Sequence, residues 1–409
     1  MPAPTTDQRR LCAAAFLRSV SVGLTGVILV LDLSSHNWSL SRAGLLVTLG
    51  LAGSATATLL SSLFAERLGR RRTLLLLATL GALGATALVI TRSPAALLAA
   101  AFFGMINGLG RDRGPAYALE QALLPETTTP ERRTLVLAWY GLLLDFGLAL
   151  GSLLAGVPAI LRDHLYWSPA EAFNFAWLFC LLLALLNLAL YLGLSPRVEL
   201  AATASLRSAP RISPESRRRI ARLAALTGLD SLGGGFLTGA LVSYWFFRRF
   251  GIDEQGLSLL FFGARMANAA SHLVAAWLAR RIGLVNTMVF THIPSSLFLM
   301  AVPFAPSAAW ATALFLARES LVEMDVPTRQ SYILAVVRPE ERPFASGMTT
   351  LTRNIAYAIA PYFAGLSMTA LALAAPLFLC GATKIAYDLL LYFSFRRIRP
   401  PEESSSATV

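Results

Sequence analysis

The sequence predicts an all-α membrane protein of twelve transmembrane helices, arranged as two pseudo-symmetric six-helix halves. Three observations predict it. First, 56% of the residues are apolar and only 14% are charged, where soluble proteins carry roughly 25% charged residues; the mean hydropathy is +0.60. Second, long apolar runs recur along the chain, many of them near the roughly 20 residues that cross a hydrocarbon core about 30 Å thick. Without water in that core, backbone groups must bond within their own segment, so each run is a helix. Third, a basic hairpin between apolar runs occurs twice, at Ser62–Thr73 and again at Arg280–Thr287. A repeated hairpin of this kind marks two homologous membrane halves.

In chain order the spans fall at about 11–33, 40–64, 73–92, 95–124, 134–158, 171–195, 219–247, 255–279, 285–305, 307–337, 344–369 and 373–395. The first run is broken by Arg18, has no small-residue cleavage site and leads straight into the next span, so it reads as a span and not as a signal peptide. The halves cover 1–194 and 219–397. Between them, 195–218 is rich in Pro, Ser and Arg and reads as a cytoplasmic linker; 398–409 reads as a disordered tail.

The net charge of +12 comes from 34 Arg and one Lys against 23 acids. Position explains it. The termini, the linker and the loops expected on their side carry 22 Arg, whereas the opposite loops carry five: Arg42, Arg92, Arg162, Arg248 and Arg249. The positive-inside rule places both termini in the cytoplasm of a multi-pass plasma-membrane protein. The basicity is a topology signal and excludes nucleic acid as the expected partner; the bilayer is one. Cys12, Cys180 and Cys380 are far apart, and the four histidines are scattered, so no metal site, disulfide framework or cofactor is expected. No phosphate-binding loop is present, which excludes ATP as the energy source.

The halves also match in detail. Arg133 precedes Asp145 by 12 residues and Gly156 by 23; Arg342 precedes Asn354 by 12 and Gly365 by 23. Spans four and ten each carry charges just before a proline, Arg111-Asp112-Arg113-Gly114-Pro115 and Glu323-Met324-Asp325-Val326-Pro327. Both Pro115 and Pro327 are expected to kink a helix, and paired interruptions in corresponding spans point to a transporter binding site.

On these residues the chain resembles the major facilitator superfamily over about residues 10–397. The signature of that family between spans two and three, Gly-x-x-x-Asp-Arg-x-Gly-Arg-Arg, appears here as Ser62-x-x-x-Glu66-Arg67-x-Gly69-Arg70-Arg71. Span four is similar to the family's glycine-rich pattern through Gly104, Gly108, Gly110 and Pro115. The antiporter-type Gly-Pro-x-x-Gly-Gly is absent from span five. The runs Asn286–His292 and Met324–Tyr332 look like those of a bacterial subgroup without an assigned substrate. The resemblance implies alternating access, with the signature hairpins acting as a conformational latch through Glu66, Arg67, Gly69, Arg70, Arg281 and Gly283. The bland alternative is that these arginines only anchor topology.

A charge at the bilayer centre costs at least roughly 2.5–3.5 kcal/mol, so each intramembrane charge needs a partner or a watery cavity. The expected solute and proton pathway comprises Asp112, Arg113, Asp145, Asp230, Arg265, Glu319, Glu323, Asp325, Arg329 and Arg353. Asp112 is open to two roles: a proton or solute site, or part of a fixed ion-pair knot. On span ten, Arg318, Asp325 and Arg329 fall within about 20° of one line, with Glu319, Glu323 and Gln330 on a second line roughly 120° away. Ser258, Arg265, Asn268 and His272 share a stripe of span eight. Arg353 and Tyr357 share a face of span eleven, and Arg353 is the candidate partner for an anionic solute group. Arg18 and Asp230 occupy similar places in spans one and seven and are expected to pair as a gate. Lys384 and Asp388, spaced i,i+4 on span twelve, read as a self-neutralised pair. Trp38, Trp139, Trp167, Tyr244 and Trp245 read as interface anchors.

The expected function is secondary active transport of a small solute, driven by protons because buried carboxylates are abundant, with a monomer the expected state. Efflux of amphipathic compounds and uptake of a polar metabolite stay open. The alternatives from other classes are a non-transporting sensor on the same fold, which would need an effector or partner patch, and a membrane enzyme, for which no nucleophile–base pair is found.

Overall fold

The computed structural model describes residues 5–112, 114–128, 133–199, 214–324 and 342–395. The helices are α1 Thr6–Ser35, α2 Leu40–Leu68, α3 Arg70–Ile90, α4 Pro94–Gly104, α5 Pro115–Leu123, α6 Arg133–Leu154, α7 Val157–Leu165, α8 Pro169–Leu192, α9 Pro214–Gly235, α10 Gly239–Phe250, α11 Glu254–Ile282, α12 Leu284–Ala301, α13 Ala308–Val322, α14 Arg342–Ala370 and α15 Ala375–Phe395. Among the described residues, eight segments are long and apolar enough to cross a membrane. Local chemistry sets many of the starts. Ser39, Thr238 and Ser307 cap their helices through side-chain oxygens. Ser168 and Glu171 form a reciprocal capping box at α8. Proline opens α4, α5, α7 and α8 within the first turn, where its missing N–H costs nothing.

The repeat is visible in the backbone. α2 and α11 are both 29 residues long. Gly69 and Gly283, 214 residues apart, each follow one of them at positive φ, 96° and 86°, and start the next helix. Four residues on, Thr73 and Thr287 each donate their hydroxyl back to that glycine's carbonyl, at 2.9 and 2.7 Å. An L side chain is strained at such φ, so these two glycines make the tight turns of the hairpins.

Three of the expected spans are interrupted. Span four is not one kinked helix: α4 ends at Gly104, residues 105–114 leave the helix, and α5 begins at Pro115. Pro115 is therefore a helix start and not a kink. The cause is composition, because Gly104, Gly108, Gly110 and Gly114 make a long helix costly there. The Asn107 side chain replaces lost backbone bonds, donating to the Arg111 carbonyl at 2.7 Å and accepting from Leu109 N–H at 2.9 Å. Span five divides into α6 and α7, and span seven into α9 and α10 after Gly233-Gly234-Gly235.

The chain forms two compact units, 1–205 with 238–262, and 206–237 with 263–409. In the first unit α1 is the axis, packed on α6, α8 and α10. A Cβ on Gly23 would lie 2.3 Å from the Leu148 carbonyl oxygen, and one on Gly151 would lie 2.0 Å from that of Val20. Small residues thus let the α1 and α6 backbones touch, as is common where lipid gives no hydrophobic drive for helix pairing. The 238–262 segment is tied in by Gly239 and Ala240, whose N–H groups donate to the carbonyls of Leu109 and Gly108 at 3.3 Å each. Arg162 on α7 closes a bidentate pair with Glu254 at the start of α11. In the second unit α9 packs on α14 and α15, and α12 on α13 and α15.

Trp245 corrects one expectation. It is 1% exposed and packs edge-on to Phe246 and Phe250, so it is a core residue and not an interface anchor. Trp38 is also buried, whereas Trp139 and Trp167 are exposed.

Candidate functional site

The break in span four drops its charged residues into the interior of the first unit. Asp112 lies in the non-helical stretch. Glu120 lies on α5, on the buried stripe with Ala116, Leu119 and Leu123. Both reach Arg18 of α1. The Arg18 guanidinium donates from Nε to Asp112 Oδ2 at 2.8 Å, from Nη1 to Glu120 Oε1 at 3.1 Å and from Nη2 to Glu120 Oε2 at 2.7 Å. Nη1 also donates to the Tyr191 hydroxyl at 2.9 Å, and that hydroxyl donates on to Glu120 at 2.5 Å. Tyr140 donates to Glu120 at 2.7 Å, and Ser19 donates to Asp112 Oδ2 at 3.2 Å. Glu120 is 0% exposed. Six side chains from five segments, α1, the span-four break, α5, α6 and α8, thus form one cluster around the guanidinium.

The two oxygens of Asp112 differ. Oδ2 carries both Arg18 and Ser19. Oδ1 takes no hydrogen bond among the described residues, and it is not among the fully enclosed polar atoms. Asp112 and Arg18 line a cavity of about 170 Å³ together with Ser21, Thr25, Asn107 and Tyr191. The rest of its wall is mostly apolar, from α3 and α8. A mostly apolar cavity with a few convergent polar groups is the usual form of a small-molecule site.

The second unit holds a different polar cluster. Lys384 of α15 donates to Asp230 Oδ1 of α9 at 2.7 Å and lies 3.3 Å from Nε2 of His292 on α12. His292 Nδ1 lies 3.1 Å from Asp388 Oδ1, also on α15. The Lys384–Asp388 pair expected to neutralise itself is instead tied to two other helices. Arg18 gives four hydrogen bonds within its own unit, and Asp230 takes Lys384 in the other.

Span ten departs from its expected register. α13 stops at Val322, so the two lines of side chains do not continue as one helix. Arg318 and Glu319, assigned to separate lines, bond to each other, and Glu319 also accepts from Asn268 Nδ2 at 2.8 Å. Glu323 is buried just past the helix end. Asp325, Pro327 and Arg329 lie outside the described residues, as do Arg113 and the side chain of Glu66. Asp145 is exposed on α6, and Arg353 is half-buried on α14. Arg265 has its Nε buried on α11. Of the latch residues, Arg67 is exposed, Arg70 is half-buried, and Arg281 stacks over Trp277 at 4.8 Å. Glu120 is not among the site residues read from the sequence. The signal was present in the apolar stripe that a carboxylate interrupts.

The family model of the Major Facilitator Superfamily matches residues 11–318 and 223–409, and the chain belongs to that family. It is a multi-pass membrane protein. It is similar to the uncharacterized membrane protein YJR124C of Saccharomyces cerevisiae, with 26% identity over 95% of this chain and 94% of that one. Its fold is that of a D-xylose–proton symporter, with a TM-score of 0.75 at 15% identity over 97% and 98% of the two chains. It is also that of the nucleoside transporter NupG, with a TM-score of 0.76 at 12% identity over 95% and 100%.

Proposed function

We propose that the protein is a secondary active transporter that moves a small solute by alternating access, with proton movement coupled at Asp112. Family membership supports the transporter class over an enzyme, and the names of the structural neighbours, sugar and nucleoside carriers, fit a small organic solute. The observation that carries the residue assignment is the asymmetry of Asp112. One oxygen is fixed by Arg18 and Ser19, the other takes no hydrogen bond among the described residues, and the residue lines the cavity. A carboxylate held in this way keeps its position whether its free oxygen holds a proton or a solute donor group. With Asp112 and Glu120 both ionised, the cluster around Arg18 carries one excess negative charge, and a single proton neutralises it.

The moving bodies in this reading are the halves 1–194 and 219–397, joined by 195–218, with both termini in the cytoplasm of a plasma-membrane monomer. The signature hairpins at Gly69 and Gly283 then lie on the cytoplasmic side. The Arg162–Glu254 pair and the bonds from Gly239 and Ala240 lie on the outer side, where they hold a second-half segment against first-half helices. Contacts of that kind must open and close in alternating access. Arg353 is the assigned partner for an anionic group, and Asp145, Asp230, Arg265, Glu319 and Glu323 complete the pathway.

The test begins with a thermal-stability screen of purified protein against metabolites, siderophores, amino acids and antibiotics at two pH values. A ligand at about 100 times its dissociation constant should add roughly 2.7 kcal/mol. The hit is then followed in proteoliposomes under an imposed pH gradient. Asp112→Asn is expected to abolish gradient-driven accumulation while solute exchange at equal pH persists. Full accumulation in both Asp112→Asn and Glu323→Gln rejects these carboxylates as couplers.

A further inference from the structure

The cavity that Asp112 borders has a size and a wall chemistry that select a ligand. It lies wholly within the first unit, between α1, α3, α5, α8 and the span-four break. The break makes room for it, because residues 105–114 leave the helix beside it. Small side chains widen it: Ala78, Gly81 and Ala85 of α3 and Ala184 of α8 all lie on its wall. A Cβ on Gly81 would meet nothing within 4 Å. The exposed stripe of α3, Leu76, Leu83 and Ile90, falls on the opposite side of the helix from Gly81, so Gly81 faces inward. At about 170 Å³ the space slightly exceeds the roughly 150 Å³ that holds a benzene molecule in an apolar cavity.

Most donors on the wall are already engaged. A guanidinium has five N–H groups, and Arg18 directs four hydrogen bonds at Asp112, Glu120 and Tyr191. The Tyr191 hydroxyl donates its hydrogen to Glu120, and that of Thr25 goes to the Ser21 carbonyl at 2.8 Å. Asn107 uses both ends of its amide within the break. The strongest acceptor is less occupied. Asp112 takes Arg18 and Ser19 at Oδ2, while Oδ1 takes no hydrogen bond among the described residues. A ligand that brings its own donors and an apolar body therefore fits. A polyol does not, because each hydroxyl buried without a partner is costly and most of the wall is apolar. An anion would meet the carboxylate.

We propose that this cavity binds a compact protonated amine, its N–H groups on Asp112 Oδ1 and an apolar body of about one six-membered ring against the walls of α3 and α8. An ammonium on a carboxylate makes a charge-assisted hydrogen bond, roughly twice as strong as a neutral one, so the amine is preferred over an alcohol of the same shape. A quaternary ammonium has the charge but neither the N–H groups nor the small head, and is excluded. The amine is then the solute of the carrier reading, on which that part rests; binding in the first unit does not depend on transport.

The test is calorimetric titration of the purified full chain at neutral pH with four probes of one shape: benzylamine, benzyl alcohol, benzoate and benzyltrimethylammonium. Benzylamine is expected to bind, benzyl alcohol to bind at least about tenfold more weakly, and the other two to give no binding. Gly81→Leu fills the cavity from α3 and is expected to abolish benzylamine binding with the Tm unchanged, since the new side chain grows into open space. Asp112→Asn keeps an acceptor oxygen without its charge, so binding should weaken by roughly tenfold and exchange at saturating amine persist. Absence of benzylamine binding at millimolar concentration overturns the proposal. So does equal affinity for benzyl alcohol or benzyltrimethylammonium, or unaltered binding in Gly81→Leu. If Asp112→Asn does not fold, the four probes and Gly81→Leu still decide. Benzylamine that binds by these criteria but is not moved in proteoliposomes would count against the carrier reading and leave the site standing. Accumulation of another solute by a protein that does not bind benzylamine would do the reverse.

Discussion

The two buried clusters each hold two carboxylates and differ in geometry. In the first unit two carboxylates share one arginine, whose fork gives bonds to Asp112, Glu120 and the Tyr191 hydroxyl at once. In the second, two carboxylates stand at the ends of a line whose middle is a lysine and a histidine. A planar guanidinium suits the first arrangement because it offers five donors in a fixed fork; an ammonium is a compact point charge and suits the second. The first cluster opens onto a cavity through Asp112, and the second keeps its unpaired oxygen sealed at Asp388. The hairpin turns at Gly69 and Gly283 thus match in geometry, whereas the buried charge clusters differ.

The largest expected effect tests how far the first cluster depends on its hub. Arg18→Leu leaves Asp112 and Glu120 buried together without a cation, along with two tyrosine hydroxyls still aimed at Glu120. Removing one partner of a buried ion pair costs about 3–5 kcal/mol, and two acids depend on this one. The expected result is a lowered Tm in detergent with reduced folded yield, partly restored by adding Glu120→Gln, which removes one of the stranded charges. An unchanged Tm in Arg18→Leu would mean that the acids are compensated elsewhere, and the contrast between fork and line would fail.

A middle-sized effect sharpens the same contrast. Tyr191→Phe removes one hydroxyl that both accepts from Arg18 and donates to Glu120. The guanidinium keeps its bonds to both acids, so the loss should be about 1–2 kcal/mol, read as a modest fall in Tm. A loss as large as that of Arg18→Leu would show that the tyrosine, and not the fork, organises the site.

Much of this architecture was legible in the sequence, and the reason is periodic. Apolar runs and loop arginines report a bilayer directly, so the span positions agree with the helices to within a few residues at α2, α11, α12 and α15. The hairpin glycines were legible because the basic hairpin occurs twice, and both adopt positive φ. The interruption of span four was half visible: the glycines and Pro115 announced a distortion, but the side-chain bonds of Asn107 that allow a full break depend on tertiary placement. Partner choice was the least legible. Arg18 meets Glu120 across 102 residues and His292 meets Asp388 across 96. Helical spacing ranks neighbours on one helix and says nothing about which helix lies opposite, so the local Lys384–Asp388 pair was favoured over the distant partners that hold each of them.

The smallest expected effect separates the two ends of the second cluster. Asp230 receives the Lys384 ammonium directly at 2.7 Å, so Asp230→Asn strips that ammonium of its charged acceptor and should cost about 3 kcal/mol or more. Asp388→Asn is nearly isosteric. Its amide oxygen still accepts from His292 Nδ1, and its amide nitrogen replaces the oxygen that has no donor. The exchange keeps the size of the side chain and its acceptor toward His292, so the cost should stay at about 1 kcal/mol. The measurement is the Tm of both variants, side by side, at pH values around 5 and 8. Equal losses in the two variants would place both carboxylates in one fixed ion-pair network and remove the distinction between the two ends.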